Sequence, residues 1–579
     1  MIKKLARSIR EFKSPAILTP ILVVIEVFFE VIIPFLMADL IDNGIESGDM
    51  RHVAFMGVLL IALSLIAMFL GALAGSVAAK ASTGFARNLR KDMFYNVQNF
   101  SFSNIDKFST SSLVTRLTTD VMNVQNAFQM IIRMAVRCPV MLVMSFIAAF
   151  STAPDLALIF LCSIPILTIG LLLIMTSVHP IFKRVFKTYD KLNKIVQENV
   201  RGVRVVKSYA REKFEESKFY EVSKQIFDDF SRAEKRLAFN MPIMQFCMFG
   251  GMLLISWIGA RMVVGGELST GQLMSVFTYS MQILMSLMML SMVFVMLYIS
   301  RASAERITEV LDEQSDLTNR QSPITTIKDG SLVFNNVSFS YSGDKEKLSL
   351  IDVNLEIKSG ETIGILGGTG SSKTTLVQLI PRLYDVTEGS LTVGGVDVRD
   401  LDIKTLRDNV AMVLQKNILF GGTIKENLRW GSPDATDAEI IHACKLAQAD
   451  SFIEELPDKY DTMIEQGGTN VSGGQKQRLC IARALLKHPK VLILDDSTSA
   501  VDTRTDAMIR KSFKEDIPHI TKLIIAQRVA SVQDANKIVV LDNGKVHAVG
   551  THDELLDHDP IYTEVYNSQT QGGDFDEAI

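Results

Sequence analysis

A glycine-rich stretch in the second half of the chain has the residue types that bind phosphate. Residues 362–366 form a short apolar strand pattern, and an apolar helix pattern follows nine residues later. Glycines let backbone N–H groups curl around phosphate oxygens at a helix N-terminus, a lysine neutralises the β- and γ-phosphates, and the hydroxyl after it ligates Mg²⁺. This strand-to-helix setting predicts a P-loop for ATP and Mg²⁺. The run is Gly367-Gly368-Thr369-Gly370-Ser371-Ser372-Lys373-Thr374-Thr375.

Two acids and a second glycine turn complete the candidate chemistry. Asp495 and Asp496 follow the apolar run at residues 491–494. A carboxylate at that position is suited to hold Mg²⁺ through water, and its neighbour is placed to orient the attacking water in phosphoryl transfer. Between the P-loop and these acids, Ser472-Gly473-Gly474-Gln475 opens a helix with a further phosphate-binding turn. These residues together predict a nucleotide-hydrolysing site.

The first half of the chain has the composition of a membrane domain. The protein has 579 residues, 48% of them hydrophobic, and a spanning helix needs about 20 mostly apolar residues. Basic residues cluster in the two long loops, so the positive-inside rule places these loops and both termini in the cytoplasm. Six stretches are long and apolar enough to span the membrane: residues 16–40, 53–79, 128–150, 156–178, 241–264 and 273–300.

The chain is therefore predicted to be a polytopic α-helical membrane domain, with six spans and long cytoplasmic extensions, followed by a C-terminal α/β P-loop ATPase domain. Its net charge of −4 offers no basic field to nucleic acid, which excludes that class of partner. Contact with the lipid bilayer and a place in the inner or plasma membrane follow from the spans. We expect an interfacial helix at 1–15, the transmembrane domain at 16–311, a linker at 312–330, the nucleotide domain at 331–566 and a flexible acidic tail at 567–579.

Four ionisable residues lie within the predicted spans. Glu26 and Glu30 are one helical turn apart in the first span, and Arg133 and Arg137 have the same spacing in the third. Charges at such depth are costly and usually face a cavity or a partner. Glu26 and Arg137 lie at similar depth, which favours an ion pair beside the transport pathway. The alternative is that both arginines extend to cytoplasmic headgroups.

The order and spacing of these motifs resemble the ABC transporter superfamily, in particular exporters with six spanning helices ahead of one nucleotide-binding domain. The resemblance covers nearly the whole chain. It implies that Tyr341 stacks on adenine, that Gln415 is the Q-loop residue sensing Mg²⁺ and the γ-phosphate, and that the D-loop, residues 499–502, ends at Asp502. It also implies that Ser472 to Gln475 form the signature, which clamps ATP bound to a partner chain.

Three positions depart from the family pattern. Where this chain has Asp496, the family usually has glutamate. Where it has Gln527 the family has histidine, and where it has Ser372 the family has glycine. Aspartate is one methylene shorter than glutamate, and glutamine cannot carry a proton as imidazole does, so both changes affect hydrolysis rather than binding. A Cβ at Ser372 is strained if the position requires a positive φ. The pattern resembles the degenerate-site half of heterodimeric bacterial multidrug ABC exporters; a homodimer with slower turnover is the alternative.

The expected coupling between the nucleotide domain and the membrane domain, and the expected cargo, are implied by the resemblance. The segments 110–117 and 208–214 match the positions of the family's coupling helices. We expect a hydrophobic or amphipathic small-molecule cargo and a second ABC half-transporter as partner. A homodimer that exports a lipid, peptide or haem-type cargo remains open, as does a regulatory membrane protein gated by nucleotide.

Overall fold

The chain forms two compact units in the computed structural model. The structure describes residues 1–496 and 501–571, without the side chains of residues 160–164, 167, 171, 175, 179, 186 and 571. The first unit comprises Met1–Val97 and Thr110–Asp312, and the second comprises Gln98–Ser109 and Glu313–Ile579. The first is the helical membrane domain, and the second holds every strand of the described residues.

Several helices of the membrane unit are much longer than a bilayer is thick. Among the described residues, six helical segments are long and apolar enough to cross a membrane, as the hydropathy predicts. At about 1.5 Å per residue, the longest helix extends for about 80 Å, more than twice the bilayer's hydrocarbon core. The helices of the first half of the chain, of which α4 belongs to the second unit, are α1 (Ile2–Arg7), α2 (Lys13–Asp39), α3 (Met50–Gln98), α4 (Phe102–Lys107), α5 (Thr110–Thr115), α6 (Val121–Thr152), α7 (Pro154–Ser208), α8 (Glu212–Leu237), α9 (Asn240–Val264) and α10 (Thr270–Asp312).

The N-terminal segment differs from the single helix predicted for residues 1–15. Helix α1 ends at Arg7, Arg10 has a left-handed φ of 43° and α2 begins at Lys13. The break is stabilised by polar contacts with α3: Ser8 and Arg10 both donate to the Asp92 carboxylate at 2.7 Å. Thus residues 1–15 form two helical pieces bent against α3 rather than one continuous helix.

The nucleotide unit has two large sheets and, within its described residues, a third of two strands, β7-β8. Strands β3, β10, β9 and β6 are parallel neighbours, so their carboxyl ends lie at one edge of the larger sheet, whose order is β12-β11-β3-β10-β9-β6. The other large sheet has the order β2-β1-β4-β5. The strands are β1 (Leu332–Phe339), β2 (Leu350–Ile357), β3 (Thr362–Leu366), β4 (Glu388–Val393), β5 (Val396–Asp397), β6 (Val410–Val413), β7 (Gly422–Thr423), β8 (Met463–Ile464), β9 (Val491–Asp495), β10 (Thr521–Ile525), β11 (Lys537–Asp542) and β12 (Lys545–Gly550).

Helices cover the larger sheet and bury its apolar strands. Strands β9 and β10 are buried along their whole length, as expected for parallel strands with both faces covered. The helices after the P-loop are α11 (Lys373–Gln378), α12 (Ile403–Asn409), α13 (Ile424–Leu428), α14 (Asp437–Leu446), α15 (Asp450–Glu454), α16 (Gly473–Leu485), α17 (Thr503–Glu515), α18 (His552–His558) and α19 (Pro560–Gln571).

Two predicted boundaries of this domain are wrong. The stretch 312–330 is not a free linker, because Ile324 bridges to Leu401 and Ile327 is buried in the domain core. The tail predicted from residue 567 begins inside α19, which extends to Gln571. The side chain of Gln569 holds its last turns by two hydrogen bonds to the backbone of residues 527 and 529. Residues 572–579 of the predicted tail lie outside the described residues.

Candidate functional site

The predicted catalytic motifs meet at one edge of the larger sheet. The P-loop follows β3, Asp495 ends β9 and Asp496 comes next, and Gln527 lies two residues beyond β10. Gln415 lies two residues beyond β6, with its side chain exposed. Since the carboxyl ends of parallel strands share an edge, residues up to 160 positions apart are adjacent here. This is the place where open α/β sheets bind ligands.

The P-loop is closed around its own lysine. Lys373 Nζ donates to the carbonyl oxygens of Gly367 and Gly368, both at 2.8 Å, and lies 3.3 Å from Ser371 Oγ. Burial lowers the pKa of Lys373, and the carboxylates of Asp496 and Asp495 oppose that shift. Phosphate oxygens would replace these carbonyl acceptors when nucleotide binds. The loop therefore already points its ammonium group toward the phosphate cradle.

Ser372, at a position where the family usually has glycine, has a left-handed backbone conformation. Its φ is 70° and its ψ is 27°, and it is the N-cap residue of α11. A side chain in this region costs about 1–2 kcal/mol, which glycine avoids. The serine is therefore strained in the structure.

Replacing Ser372 by glycine should stabilise the nucleotide domain. We expect the free energy of unfolding to rise by about 1 kcal/mol, which raises the unfolding midpoint of a domain of this size by about 3 °C. Thermal unfolding of the purified chain measures this. Ser372→Ala is the matched control, because it keeps the Cβ and removes only the hydroxyl. A glycine variant no more stable than the alanine variant would contradict the assignment of strain.

Two of the residues predicted to hold Mg²⁺, Thr374 and Asp495, place oxygen ligands close together. Thr374 Oγ1 donates to Asp495 Oδ1 at 3.0 Å, and Asp495 is 2% exposed. Burial raises the pKa of Asp495, whereas the bond from Thr374 and the charge of Lys373 lower it. A hydroxyl and a carboxylate are hard oxygen ligands of the kind that Mg²⁺ takes together with phosphate. The pair fits the metal, with Gln415 at the same edge of the sheet.

Asp496 and Gln527 are bonded to each other. Gln527 Nε2 donates to Asp496 Oδ2 at 2.9 Å. Asp496 has a left-handed φ of 48°, and its backbone N–H donates to the Ile525 carbonyl at 3.1 Å. Strained backbone of this kind is concentrated at active sites. Two of the three positions that depart from the family pattern are thus joined at the site where the attacking water would lie.

Tyr341, which the resemblance predicts to stack on adenine, lies beside the P-loop helix and is half exposed. Its hydroxyl is 3.0 Å from Thr375 Oγ1, and its ring meets the Tyr384 ring edge-on with 5.2 Å between centroids. Burial raises the pKa of Tyr341. An aromatic face open to solvent above the P-loop is suited to a purine base.

Tyr384 links this aromatic cluster to helix α4, a contact that the sequence did not reveal. Its hydroxyl donates to Asp106 Oδ2 at 2.6 Å, and Phe102 approaches its ring edge-on. The segment 98–109 belongs to the nucleotide unit, whereas residues 110–117, where we expected the first coupling contact, belong to the membrane unit. The contact at 110–117 stays a prediction, and α4, one short helix earlier, is the part of this loop that packs within the nucleotide unit.

The signature residues form a preorganised helix N-terminus. Ser472 Oγ accepts from the Gln475 N–H at 3.2 Å, and Gln475 Oε1 accepts from the Ser472 N–H at 2.9 Å, a reciprocal capping box. Ser472 and Gly473 are exposed, while Gly474 is partly buried. The N-terminus of the 13-residue helix α16 therefore presents backbone donors outward, which suits an anion on another molecule.

The D-loop is described only at its end. Asp502 is the N-cap residue of α17, and its carboxylate accepts from the Thr505 N–H at 2.9 Å, which lowers the pKa of Asp502. Ser499 and Ala500 lie outside the described residues. Asp502 therefore caps the N-terminus of α17.

Three of the four charged residues predicted within the spans, Glu26, Glu30 and Arg137, form an ion-pair cluster. Arg137 Nη1 donates to Glu26 Oε1 at 2.5 Å, and its Nη2 donates to both oxygens of Glu30 at 2.8 Å. Glycines of α3 provide the space, since a Cβ at Gly71 would lie 2.7 Å from Glu26 Oε1 and a Cβ at Gly75 would lie 3.3 Å from Arg133 Nη1. The arginine thus joins α6 to two carboxylates of α2 rather than extending to a headgroup.

A double-mutant cycle measures how strongly this cluster holds the two helices. Arg137→Gln should destabilise the chain more than Glu26→Gln, since it leaves two carboxylates without their cation. The double variant should be less destabilised than the sum, with a coupling of about 1–3 kcal/mol. The thermal unfolding midpoint of the purified chain provides the measurement. Arg261→Gln, at the outer end of α9 over Trp257, is the control. Strictly additive effects would contradict the pairing.

Comparison with known proteins identifies the fold. The family model of the ABC transporter transmembrane region matches residues 16–288, and that of the ABC transporter domain matches residues 350–499. The uncharacterized ABC transporter ATP-binding protein YfiB of Bacillus subtilis is 37% identical over 549 residues, which are 95% of each chain. This chain belongs to the ABC transporter family. It is an ATPase coupled to transport across a membrane.

Other matches indicate which fold this ABC transporter has. YfiC of Bacillus subtilis is 32% identical and covers 98% of this chain and 94% of its own. The ATP-dependent lipid A-core flippase of Desulfotalea psychrophila is 30% identical and covers 98% and 99%. The structure of a bacterial Atm1-family ABC exporter with ATP bound has a TM-score of 0.79 at 24% identity, covering 97% of this chain and 98% of that one. The ABC transporter thus has the exporter fold and is a multi-pass membrane protein with a cytoplasmic ATPase domain.

Proposed function

We propose that this chain is one half of a heterodimeric exporter of hydrophobic or amphipathic compounds. Its own site, formed by the P-loop (Walker A) and the acids Asp495 and Asp496 after β9 (Walker B), is degenerate and holds ATP, and its signature serves the hydrolytic site of the partner. The observation that carries the proposal is the hydrogen bond between the Gln527 amide and the Asp496 carboxylate at 2.9 Å.

This bond disfavours fast hydrolysis at the chain's own site. The Asp496 side chain is one methylene shorter than glutamate, and one of its oxygens already accepts from Gln527. The glutamine has no basic nitrogen, so it cannot accept a proton as histidine does. A general base or positioned donor contributes about a hundredfold to such reactions. Losing both leaves ATP bound between Lys373 and the Mg²⁺ ligands with slow turnover.

The signature supports the second half of the proposal, because it keeps the family's residues and a preformed geometry. In the family, each composite site takes its P-loop from one chain and its signature from the other. The exposed Ser472 and Gly473 at the N-terminus of α16 are placed to contact nucleotide on a partner. A chain with changed catalytic residues and an unchanged signature is the expected composition of one half of an asymmetric pair.

Two exposed surfaces with large apolar side chains also favour a partner chain. A groove of about 380 Å³ beside Gln415 is lined by Leu414, Ile418, Phe420 and Trp430, with the last two rings stacked at 4.4 Å, and also by the polar Lys416, Asn417, Arg483 and Lys487. The turn between α7 and α8, residues 208–214, exposes Tyr209 by 75% and Phe214 by 60%. We assign the corresponding turn of the partner chain to this groove, and this chain's turn to the partner's groove, as expected for the second coupling contact.

The membrane unit supports an apolar cargo. A cavity of about 290 Å³ between α2, α6 and α10 has an apolar lining. On α10, Met281, Met285 and Met292 are exposed, and methionine gives an adaptable apolar surface. The lipid A-core flippase among the relatives acts on an amphipathic lipid by its name, which makes a lipid the favoured alternative cargo. The cavity is lined by Phe28, Val31, Ile32, Phe35, Met144, Ile147, Ala148 and Tyr279.

Transport into inside-out membrane vesicles tests the proposed function. ATP should drive uphill accumulation of an amphipathic dye such as ethidium in vesicles that contain the chain with its partner. A fluorescent phospholipid measured in parallel separates lipid translocation from drug export. Dye movement that never exceeds the external concentration would instead support a nucleotide-gated regulatory or channel-like protein, the remaining alternative.

A further inference from the structure

The C-terminal helix α19 reaches the loop that carries Gln527. Tyr562 of this helix is 1% exposed in the core of the unit, and His552 Nδ1 of α18 is 2.7 Å from its hydroxyl. His552 also meets the Tyr566 ring edge-on at 5.3 Å. These contacts fix the first two turns of α19 against the domain, so the position of its last turn is determined.

From that last turn, Gln569 bonds two backbone groups of the loop. Its Oε1 accepts from the Val529 N–H at 2.8 Å, and its Nε2 donates to the Gln527 carbonyl at 2.8 Å. The partners fix the orientation of the amide, because an N–H requires an acceptor and a carbonyl requires a donor. The two bonds restrain the backbone on both sides of Arg528.

The loop in turn aims the Gln527 side chain at Asp496. Its amide donates to Asp496 Oδ2 at 2.9 Å, and Val529, which follows, is 2% exposed in the core. Because the Gln527 backbone carries both the bond from Gln569 and the side chain that bonds Asp496, a rotation of this backbone would break both contacts. Gln569, Gln527 and Asp496 therefore form one continuous chain of hydrogen bonds.

We propose that Gln569 is a positioning residue for Gln527, through which the C-terminal helix controls how long nucleotide stays at this chain's own P-loop. While the Gln527 amide bonds Asp496, one oxygen of the carboxylate beside the phosphate cradle accepts a hydrogen bond that disperses part of its negative charge. If the loop is released, that bond is lost and the carboxylate repels the triphosphate more strongly. The inference requires nucleotide binding at the P-loop and does not depend on slow hydrolysis.

Two measurements on Gln569→Ala in the full transporter test this role. A neutral hydrogen bond is worth about 1 kcal/mol, about a fivefold change in an equilibrium. Hydrogen exchange of residues 526–532 should become about tenfold faster, while exchange in β10 stays unchanged. Azido-ATP labelled at its α-phosphate, photo-cross-linked at intervals after a chase with unlabelled ATP, should leave this chain about fivefold faster. The chains are resolved by electrophoresis, so the partner's site is read separately.

Asn567→Ala is the matched control, because this exposed residue lies on the same helix, two positions before Gln569. It should match the wild type in both measurements. Gln569→Glu tests the same bonds without loss of bulk, since its carboxylate cannot donate to the Gln527 carbonyl; it should release nucleotide at least as fast as the alanine variant. Unchanged exchange in the loop, faster exchange throughout the domain, or unchanged nucleotide release despite a loosened loop would each overturn the proposal.

Discussion

Replacing Gly473 by aspartate in this chain is expected to lower the ATPase activity of the whole transporter by at least about a hundredfold. The residue lies at the first position of α16, next to the N-cap residue Ser472. An added carboxylate there would lie where the backbone donors meet the γ-phosphate on the partner, and losing such a charge-stabilising contact costs at least about a hundredfold. ATP hydrolysis by the purified transporter measures the effect.

Misfolding is a poor explanation for such a loss, because an acidic residue in the first turn stabilises a helix. Gly202→Asp provides the matched control. It introduces the same side chain into helix α7, where a Cβ at Gly202 would meet nothing within 4 Å, and it should retain nearly full ATPase activity. A Gly473→Asp transporter with more than half of the wild-type activity would show that this signature does not serve the hydrolytic site.

Restoring the family's catalytic residues should create hydrolysis where the wild-type chain has little. Asp496→Glu and Gln527→His together, in a chain that also carries Gly473→Asp, should raise the residual ATPase activity by at least about a hundredfold. The Gly473→Asp change silences the partner's site, so the recovered activity belongs to this chain's own P-loop. Each single change should recover less than the pair, because base and proton carrier act together.

The control for this prediction removes nucleotide binding and keeps the restored catalytic residues. Adding Lys373→Ala to the restored chain should abolish the recovered activity, because Lys373 lies in the P-loop that would bind the phosphates. If the restored chain hydrolyses no faster than the Gly473→Asp chain, the departures at Asp496 and Gln527 are not what limits turnover. If the restored activity survives Lys373→Ala, it comes from another site.

The sequence was informative where the chemistry is local. The P-loop, the acids after β9 and the signature are each short motifs next to a strand or helix pattern. They can therefore be located in the sequence without knowledge of the tertiary structure. The six spans are equally local, because about 20 apolar residues suffice to indicate each one. The Glu26 and Arg137 contact also followed from depth alone, although the second bond from Arg137 to Glu30 did not.

What the sequence did not reveal depends on partners far along the chain. The contact of Asp106 with Tyr384 joins residues 278 positions apart, and the bonds of Gln569 to the loop span about 40. Neither Asp106 nor Gln569 belongs to a motif, and polar residues near a chain end have the composition of a flexible tail. Only the packing of α19 against the domain core shows that its last turn is held at the catalytic edge.

Purification of the tagged chain from its own membranes at native expression tests the central claim most directly. The account predicts a second, different ABC half at one-to-one stoichiometry, with glutamate and histidine at the positions of Asp496 and Gln527. Recovery of this chain alone, as a homodimer, would contradict it, because both composite sites would then carry the same aspartate and glutamine and no asymmetry of hydrolysis would remain.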